Sequence, residues 1–209
     1  MTAKQIWNQR YSSRLPCDAK ARNSWLASWI EGIHGPRGRA LDIGCGLGED
    51  SAYLAKLGYA VTALDFSDEA IRLARVAIAG VNFVVSDIRK MGKTVRGTYD
   101  CVVASLSLHY FDHAETASIF RDIANILRPG GLFCFRVNAY PKPEENRNMD
   151  WCLETSEDGL LRQFFDEAKV AVLLEGLFLP SSMESKAIEH RGKSKAIIET
   201  AAIRISSRD

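Results

Sequence analysis

Between residues 42 and 50 the chain reads Asp-Ile-Gly-Cys-Gly-Leu-Gly-Glu-Asp. Glycines this dense belong where a backbone must turn sharply and let a ligand approach with no Cβ in the way. Asp65 stands twenty-one residues beyond Gly44 and closes a short apolar run. At that spacing a carboxylate can accept hydrogen bonds from both hydroxyls of a ribose. Asp87 closes a third apolar run, where a purine base would lie. Three such ends converging on one crevice describe a seat for an adenosine-containing ligand. The spacing also narrows which ligand. A dinucleotide turn wants G-x-G-x-x-G, but Glu49 occupies the third glycine's place and leaves G-x-G-x-G. Glu49 and Asp50 would open the helix whose N-terminus a pyrophosphate needs. Those charges repel a phosphate and suit a cationic ligand.

The elements that must hold these residues follow from periodicity and punctuation. Strands are predicted at 39–43, 60–65, 81–85, 99–104 and 132–137. Helices separate them: one after the glycine cluster and one starting at Ser67, a good N-cap with Asp68 and Glu69 in its first turn. Another spans roughly 112–127 and is closed by Arg128-Pro129-Gly130-Gly131. Strands alternating with helices predict an α/β fold, a doubly wound, Rossmann-like sheet. Beyond Asn138 the rhythm changes. Residues 139–157 read as a polar flap, followed by a helix near 157–167, a strand near 169–175 and a last strand near 195–205. The final two strands are expected to be antiparallel neighbours. The expectation is therefore seven strands, mostly parallel, in one domain over 1–209: a helical lid at 1–34, a ligand-binding core at 39–137, and a flap with C-terminal strands at 138–209.

Composition adds exclusions. Lys+Arg 27 against Asp+Glu 26 gives a net charge of +1, without the imbalance expected of a phosphate-backbone binder. The five cysteines are scattered with no C-x-x-C, so neither a disulfide framework nor a metal site is expected, and the thiols point to a reduced, cytoplasmic setting. The opening MTAKQIWNQR lacks the apolar core of a signal peptide. No apolar stretch approaches the ~18 residues of a membrane span.

Taken in order, these motifs resemble the class I S-adenosylmethionine-dependent methyltransferases, especially small bacterial ones of the tellurite-resistance and ubiquinone-biosynthesis type. Residues 40–48 look like the family's first motif, Ala63–Ser67 like its ribose-binding strand end, and Ser86-Asp87-Ile88 like its adenine motif. Residues 99–110 are similar to its fourth-strand motif, and Trp7–Tyr11 to an opening that commonly folds over the cofactor. The resemblance implies S-adenosylmethionine as cofactor. Gly44, Cys45 and Gly46 would line its methionine and ribose, with Asp42 organising the turn or reaching the ammonium through water. Asp65 would bind the ribose, Phe66 and Ile88 would flank the adenine, and Asp87 would accept from its amine. Ala104 and Ser105 would offer backbone near the methionine end, and Tyr11 would close the site.

Catalytic residues are harder to read. Methyl transfer from a sulfonium is an in-line displacement on an already activated carbon, so positioning and exclusion of water matter more than a triad. His109, just past the fourth strand, is a candidate general base or substrate contact, or else a structural histidine at a helix start. Tyr11 is a second candidate. Cys45, between two glycines, reads as a small residue rather than a nucleophile. Trp7, Trp25 and Trp29 form either a cage for the substrate or the buried face of the N-terminal helices. Enzymes that methylate exocyclic amines of nucleic-acid bases carry Asn/Asp-Pro-Pro-aromatic after the fourth strand, and this chain has no proline between Pro36 and Pro129. The expected acceptor is therefore a small molecule, with neither nucleic acid nor membrane as partner. The rival readings are a non-catalytic S-adenosylmethionine-binding sensor or subunit and a nicotinamide-dependent oxidoreductase.

Overall fold

The structure, a computed structural model, describes residues 1–16, 25–30, 37–140, 153–156, 159–190 and 192–206. The chain opens with α1 (Ala3–Ser12) and the single turn α2 (Ala27–Ile30), then β1 (Arg39–Ile43), α3 (Glu49–Lys56), β2 (Ala60–Asp65) and α4 (Asp68–Ala77). β3 (Asn82–Val85), α5 (Met91–Thr94), β4 (Tyr99–Ser105), α6 (His113–Ile126) and β5 (Leu127–Asn138) continue the alternation. The C-terminal part holds β6 (Leu153–Thr155), β7 (Leu161–Gln163), α7 (Glu167–Leu174), β8 (Phe178–His190) and β9 (Lys193–Arg204).

Seven strands form one sheet in the order β3-β2-β1-β4-β5-β9-β8, and β6 pairs with β7 in a separate ribbon. The first five are parallel, and β9 runs antiparallel to both β5 and β8. Apolar side chains alternate across the strands and cover both faces, as a parallel sheet requires. On one face, Ala40, Cys101, Val103 and Cys134 meet Leu54 of α3 and Leu26 and Ile30 near α2. On the other, Leu41, Phe133 and Phe135 meet Ile119, Phe120 and Ile123 of α6 and Leu173 of α7. Phe120 sits edge-on to Phe133 and Phe135 at 5.4 and 5.3 Å, the arrangement aromatic quadrupoles favour.

The seven-stranded, mostly parallel sheet predicted from the sequence is the sheet observed. Two boundaries after Asn138 differ. The segment predicted as a strand near 169–175 is the helix α7. Asp166 caps it, accepting from the Lys169 amide at 2.8 Å, and Val170, Leu173 and Leu174 recur on its buried side at helical spacing. The helix predicted near 157–167 is replaced over 161–163 by β7, with 157–158 outside the described residues. The strand partner of β9 lies further on, at Phe178–His190, beyond a left-handed Gly176. Its polar sequence hid it because an edge strand keeps one face in solvent. β5 also starts earlier than predicted: Leu127 already pairs with Tyr99, and the register shifts before Cys101 meets Leu132.

The topology defines one crevice. β2 lies on one side of β1 and β4 on the other, so strand order reverses between β1 and β4, and the carboxyl ends there are the expected ligand site. The β8–β9 hairpin overshoots that edge. β5 leaves β9 at the Asn138–Ile197 pair, whereas β8 follows it to His190–Lys193.

Candidate active site

The turn after β1 is built around three left-handed glycines, Gly44, Gly46 and Gly48, at φ 69°, 54° and 85°. All three also resist a side chain sterically, Gly48 because a Cβ there would stand 2.7 Å from Ile78 Cδ1. A Cβ on Gly44 would stand 2.4 Å from Ser107 Cβ, and one on Gly46 would stand 2.9 Å from Tyr11 Oη. The Gly44 and Cys45 amides donate to Leu64 O at 2.7 and 3.0 Å, binding the turn to β2. Asp65 completes the joint. Its Oδ2 accepts from the Gly46 amide at 3.0 Å and its Oδ1 from the Ser67 amide at 2.9 Å. Burial pushes its carboxyl above the ordinary range, while these amide donors pull it back.

Asp42 lies beneath the turn and is fully buried, accepting from Ser51 Oγ at 2.5 Å. Burial, then the Asp50 charge, and after it that of Asp65, push its carboxyl up to about 8, against the Ser51 hydrogen bond. Asp42 thus holds its proton to a much higher pH than an ordinary aspartate. Cys45 shares this environment: burial and the charges of Asp42 and Asp65 raise its thiol, which makes it a poor nucleophile.

The N-terminal helix sits over this turn. Thr2 and Gln5 make a reciprocal capping box that starts α1. Tyr11 packs with Ala70 and Leu73 of α4, with Trp7 and Leu47 beside them. Ser67 Oγ donates to Asn8 Oδ1 at 2.7 Å while capping α4 through the Ala70 amide at 3.1 Å. Trp7 stacks on Tyr11 and meets Tyr110 edge-on, with ring centroids 5.7 and 5.4 Å away. Of the lid predicted at 1–34, residues 17–24 and 31–34 lie outside the described residues, as do 141–152 and 157 of the flap.

The adenine-side residues are only partly assembled as predicted. Ile88 is buried, and its Cδ1 reaches within 3.7 Å of where a Gly44 Cβ would be. Phe66 is half-buried at the β2–α4 turn. Asp87 stands two residues past β3, and both its oxygens are engaged by Arg89, with an Nη2 contact of 2.6 Å and amide and Nε contacts of 2.9 to 3.2 Å. Partial burial opposes ionisation there, yet the Arg89 hydrogen bonds hold the carboxyl below its usual range. Asp87 therefore reaches an amine only by sharing lone pairs that Arg89 already uses.

Beyond β4 the chemistry changes. Ala104 is fully buried and contributes backbone alone. Ser105 Oγ accepts from Arg136 Nε and Nη2 at 3.2 and 2.8 Å. Leu106 then adopts φ 56°, a left-handed conformation that a branched side chain seldom takes. That twist lets Ser107 Oγ donate across to Ile43 O at 2.8 Å, locking the β1 and β4 ends together. His109 is fully buried beside Tyr110, with neither ring nitrogen bonded among the described residues. Burial first, then the charges of Lys195, Arg162 and His190, lower its pKa well below the usual value. Trp25 donates to both Asp50 oxygens at 3.0 Å and Trp29 to Glu199 at 2.9 Å, so Trp25 is anchored to α3 and Trp29 to β9.

The structure thus gathers Tyr11, Asp42, Gly44, Cys45, Gly46, Asp65 and Ile88 at one crevice. Ala104, Ser105 and His109 lie along its β4 side. Ser67 and Ser107 lie inside the quoted motifs, Ser67 read only as an N-cap and Ser107 given no role, while Ser51 and Arg136 lie outside them. Arg136 had a signal of its own, a charge inside the apolar run Phe-Cys-Phe-Arg-Val. Among the described residues no three His, Cys, Asp or Glu side chains come together as metal ligands, and no helix is long and apolar enough to cross a membrane.

A doubly wound sheet with a left-handed glycine turn at its switch point and a carboxylate closing β2 defines a nucleoside-binding class of fold. Residues 40–131 match a methyltransferase domain family model. Over that segment, which is less than half of the chain, the sequence is similar to methyltransferase domains. A putative methyltransferase, YqeM, of Bacillus subtilis is 32% identical over 116 residues, covering 53% of this chain and 47% of that protein. The ubiquinone biosynthesis O-methyltransferase of Xanthomonas campestris is 32% identical over 111 residues, covering 51% and 46%. The chain spans about half the length of the curated relatives it matches. The structure of Burkholderia thailandensis 1,6-didemethyltoxoflavin-N1-methyltransferase, with 1,6-didemethyltoxoflavin and S-adenosylhomocysteine bound, superposes with a TM-score of 0.68 at 20% identity over 99% of this chain and 92% of that one.

Proposed function

We propose that this chain is an S-adenosylmethionine-dependent methyltransferase acting on a small-molecule acceptor in the cytoplasm. The carrying observation is the left-handed glycine turn at the strand switch point, where Asp65 accepts from the Gly46 and Ser67 amides with Asp42 and Asp50 close enough to feel one another's charge. Such a pocket repels phosphate and favours a cation, which is the charge of a sulfonium and an ammonium. The residues fit the cofactor: Asp65 for the ribose hydroxyls, Gly44, Cys45 and Gly46 for close backbone approach, Phe66, Ile88 and Asp87 for the adenine, Ala104 and Ser105 for the amino-acid end. Bound there, the sulfonium supplies an activated methyl carbon.

The chain's own work is then positioning and drying. Tyr11 covers the glycine turn, and α1 excludes water above it. His109 is uncharged at neutral pH, the state a proton acceptor needs, and serves an acceptor that enters protonated. Residues 39–137 make the cofactor-binding core of a single domain, with 1–34 as lid and 138–209 shaping the acceptor side. The small-molecule assignment is supported by Ser105-Leu106-Ser107-Leu108 standing where a base-amine methylase keeps its prolines. It is further supported by the relatives, whose names concern ubiquinone biosynthesis and 1,6-didemethyltoxoflavin. Calorimetry with S-adenosylhomocysteine beside NADH tests the reading. Binding of the first alone is expected, and NADH binding without S-adenosylhomocysteine would overturn it. Release of S-adenosylhomocysteine with a panel of phenols, amines, thiols and carboxylic acids separates the enzyme from a sensor, which would bind cofactor and turn over none.

A further inference from the structure

Three buried polar side chains are carried by segments packed around the turn that follows β4. His109 lies in that single turn, Leu108–Tyr110, which packs against both β5 and β7. Neither of its ring nitrogens has a partner among the described residues, nor has Asn138 Oδ1 at the end of β5 or Gln163 Nε2 on β7. All three residues are buried. Thr116 holds the oxygen end of the Gln163 amide at 3.3 Å and leaves the nitrogen end over. The chain just past β7 is tied back to β5, where the Phe165 amide donates to Asn138 O at 2.9 Å. Buried polar atoms are nearly always paired, so unpaired ones on three neighbouring segments point to a ligand that pairs them.

An aromatic row leads from these groups to the glycine turn. The Tyr110 ring lies 4.3 Å from His109 and 5.4 Å from Trp7, and Trp7 stacks on Tyr11 at 5.7 Å. Tyr11 Oη is the atom that a Cβ on Gly46 would strike. The polar set also selects by charge. Burial, with the charges of Lys195, Arg162 and His190, keeps His109 neutral, so it offers one N–H and one lone pair. Those three charges oppose an ammonium. A carboxylate only accepts, and would face Asn138 Oδ1 with no proton to give it. An uncharged hydroxyl both donates and accepts, which suits all three side chains. An amide does so too, but its nitrogen lone pair is delocalised into the carbonyl and makes a poor methyl acceptor.

We infer that His109, Asn138 and Gln163 bind the hydroxyl of the methyl acceptor, and that the acceptor is an uncharged phenol whose ring lies along Tyr110 and Trp7. This rests on the methyl-transfer reading above. Calorimetry would first measure S-adenosylhomocysteine binding to wild type, Gln163→Met and Asn138→Leu. Into each complex 2-naphthol would then be titrated, beside 2-methoxynaphthalene, 2-naphthamide and 2-naphthoate. The histidine ring nitrogens of the wild-type complex would be followed by NMR, with the His109 signals assigned by their loss in His109→Gln.

The expected result is S-adenosylhomocysteine affinity within about twofold in all three proteins, with naphthol binding weakened about tenfold by either substitution. In wild type the other three compounds should bind at least about tenfold more weakly than naphthol, because they leave the buried groups unpaired. Naphthol should shift the His109 signals. Naphthamide or naphthoate binding as tightly as naphthol overturns the inference, as does equal naphthol binding by all three proteins or none by wild type. His109 signals that stay unmoved with naphthol bound overturn it too, whether or not the variants fold. If wild type fails to bind S-adenosylhomocysteine, the methyl-transfer reading itself falls.

Discussion

The two halves of the crevice are built in different ways. Under the glycine turn, Asp42, Asp50 and Asp65 crowd together until one of them keeps its proton near neutrality. Around the β4–β5 end, Arg136 lies over Trp25, and Lys195, Arg162 and His190 act together on a neutral His109. One half has its geometry set by backbone turns and the other by side chains on strands and a hairpin. The first therefore tolerates little change in sequence, whereas the second can be rewritten without disturbing the fold.

Removing the acid strain should break this contrast most strongly. An unfolded chain titrates Asp42 near its ordinary 3.8, and the folded chain near 8. Between those values the folded state keeps a proton that the unfolded state has lost, so stability falls as pH rises through that window, by on the order of a few kcal/mol. Asp42→Asn should flatten the slope, read as denaturant midpoints from pH 5 to pH 8; an unchanged slope would mean that Asp42 ionises freely. In the native protein near pH 7, cofactor binding should also release a proton, visible as a buffer-dependent heat. Gly44→Ala comes next. Its left-handed φ and the close Ser107 Cβ together predict a loss of about 2–5 kcal/mol in stability, and a shift in melting midpoint too small to resolve would show that the turn relaxes.

A smaller effect sharpens the contrast within the cofactor half. Asp65→Ala should weaken S-adenosylhomocysteine by about 1–3 kcal/mol through lost charge-assisted hydrogen bonds. Its binding of methylthioadenosine should fall equally, because the ribose is common to both; unequal losses would move Asp65 off the ribose. The smallest effect should come from Asn8→Ala, which removes the acceptor for Ser67 Oγ and should cost about 1 kcal/mol or less.

How much of this was legible in the sequence follows the same division. The order of β1 to β5, the glycine turn and Asp65 could be read because backbone geometry leaves few residue types able to serve there. Gly44 and Gly46 are required by φ and by neighbours a methyl group would strike. Past Asn138 the reading weakened. The run Glu167–Leu174 carries both strand-forming valines and a helical spacing, and its Asp166 cap decided for helix. Asp87 was placed near a strand end, but its Arg89 partner two residues on carries no motif. The Ser107 bridge needs the unusual Leu106 backbone, which no propensity scale anticipates. His109 was marked by position alone, and its burial with both nitrogens unbonded is a property of the surrounding packing.

Ser67 has a consequence for timing. Its amide holds Asp65, its hydroxyl caps α4, and the same hydroxyl reaches Asn8 on the helix that covers the site. In the proposed cycle a spent cofactor must leave before a fresh one enters, and Tyr11 stands over Gly46 in the way. Opening the cover therefore breaks a contact made by the residue that steadies Asp65. Exchange and grip share one hinge point, so a change that loosens Asn8 speeds turnover limited by release and slows turnover limited by chemistry.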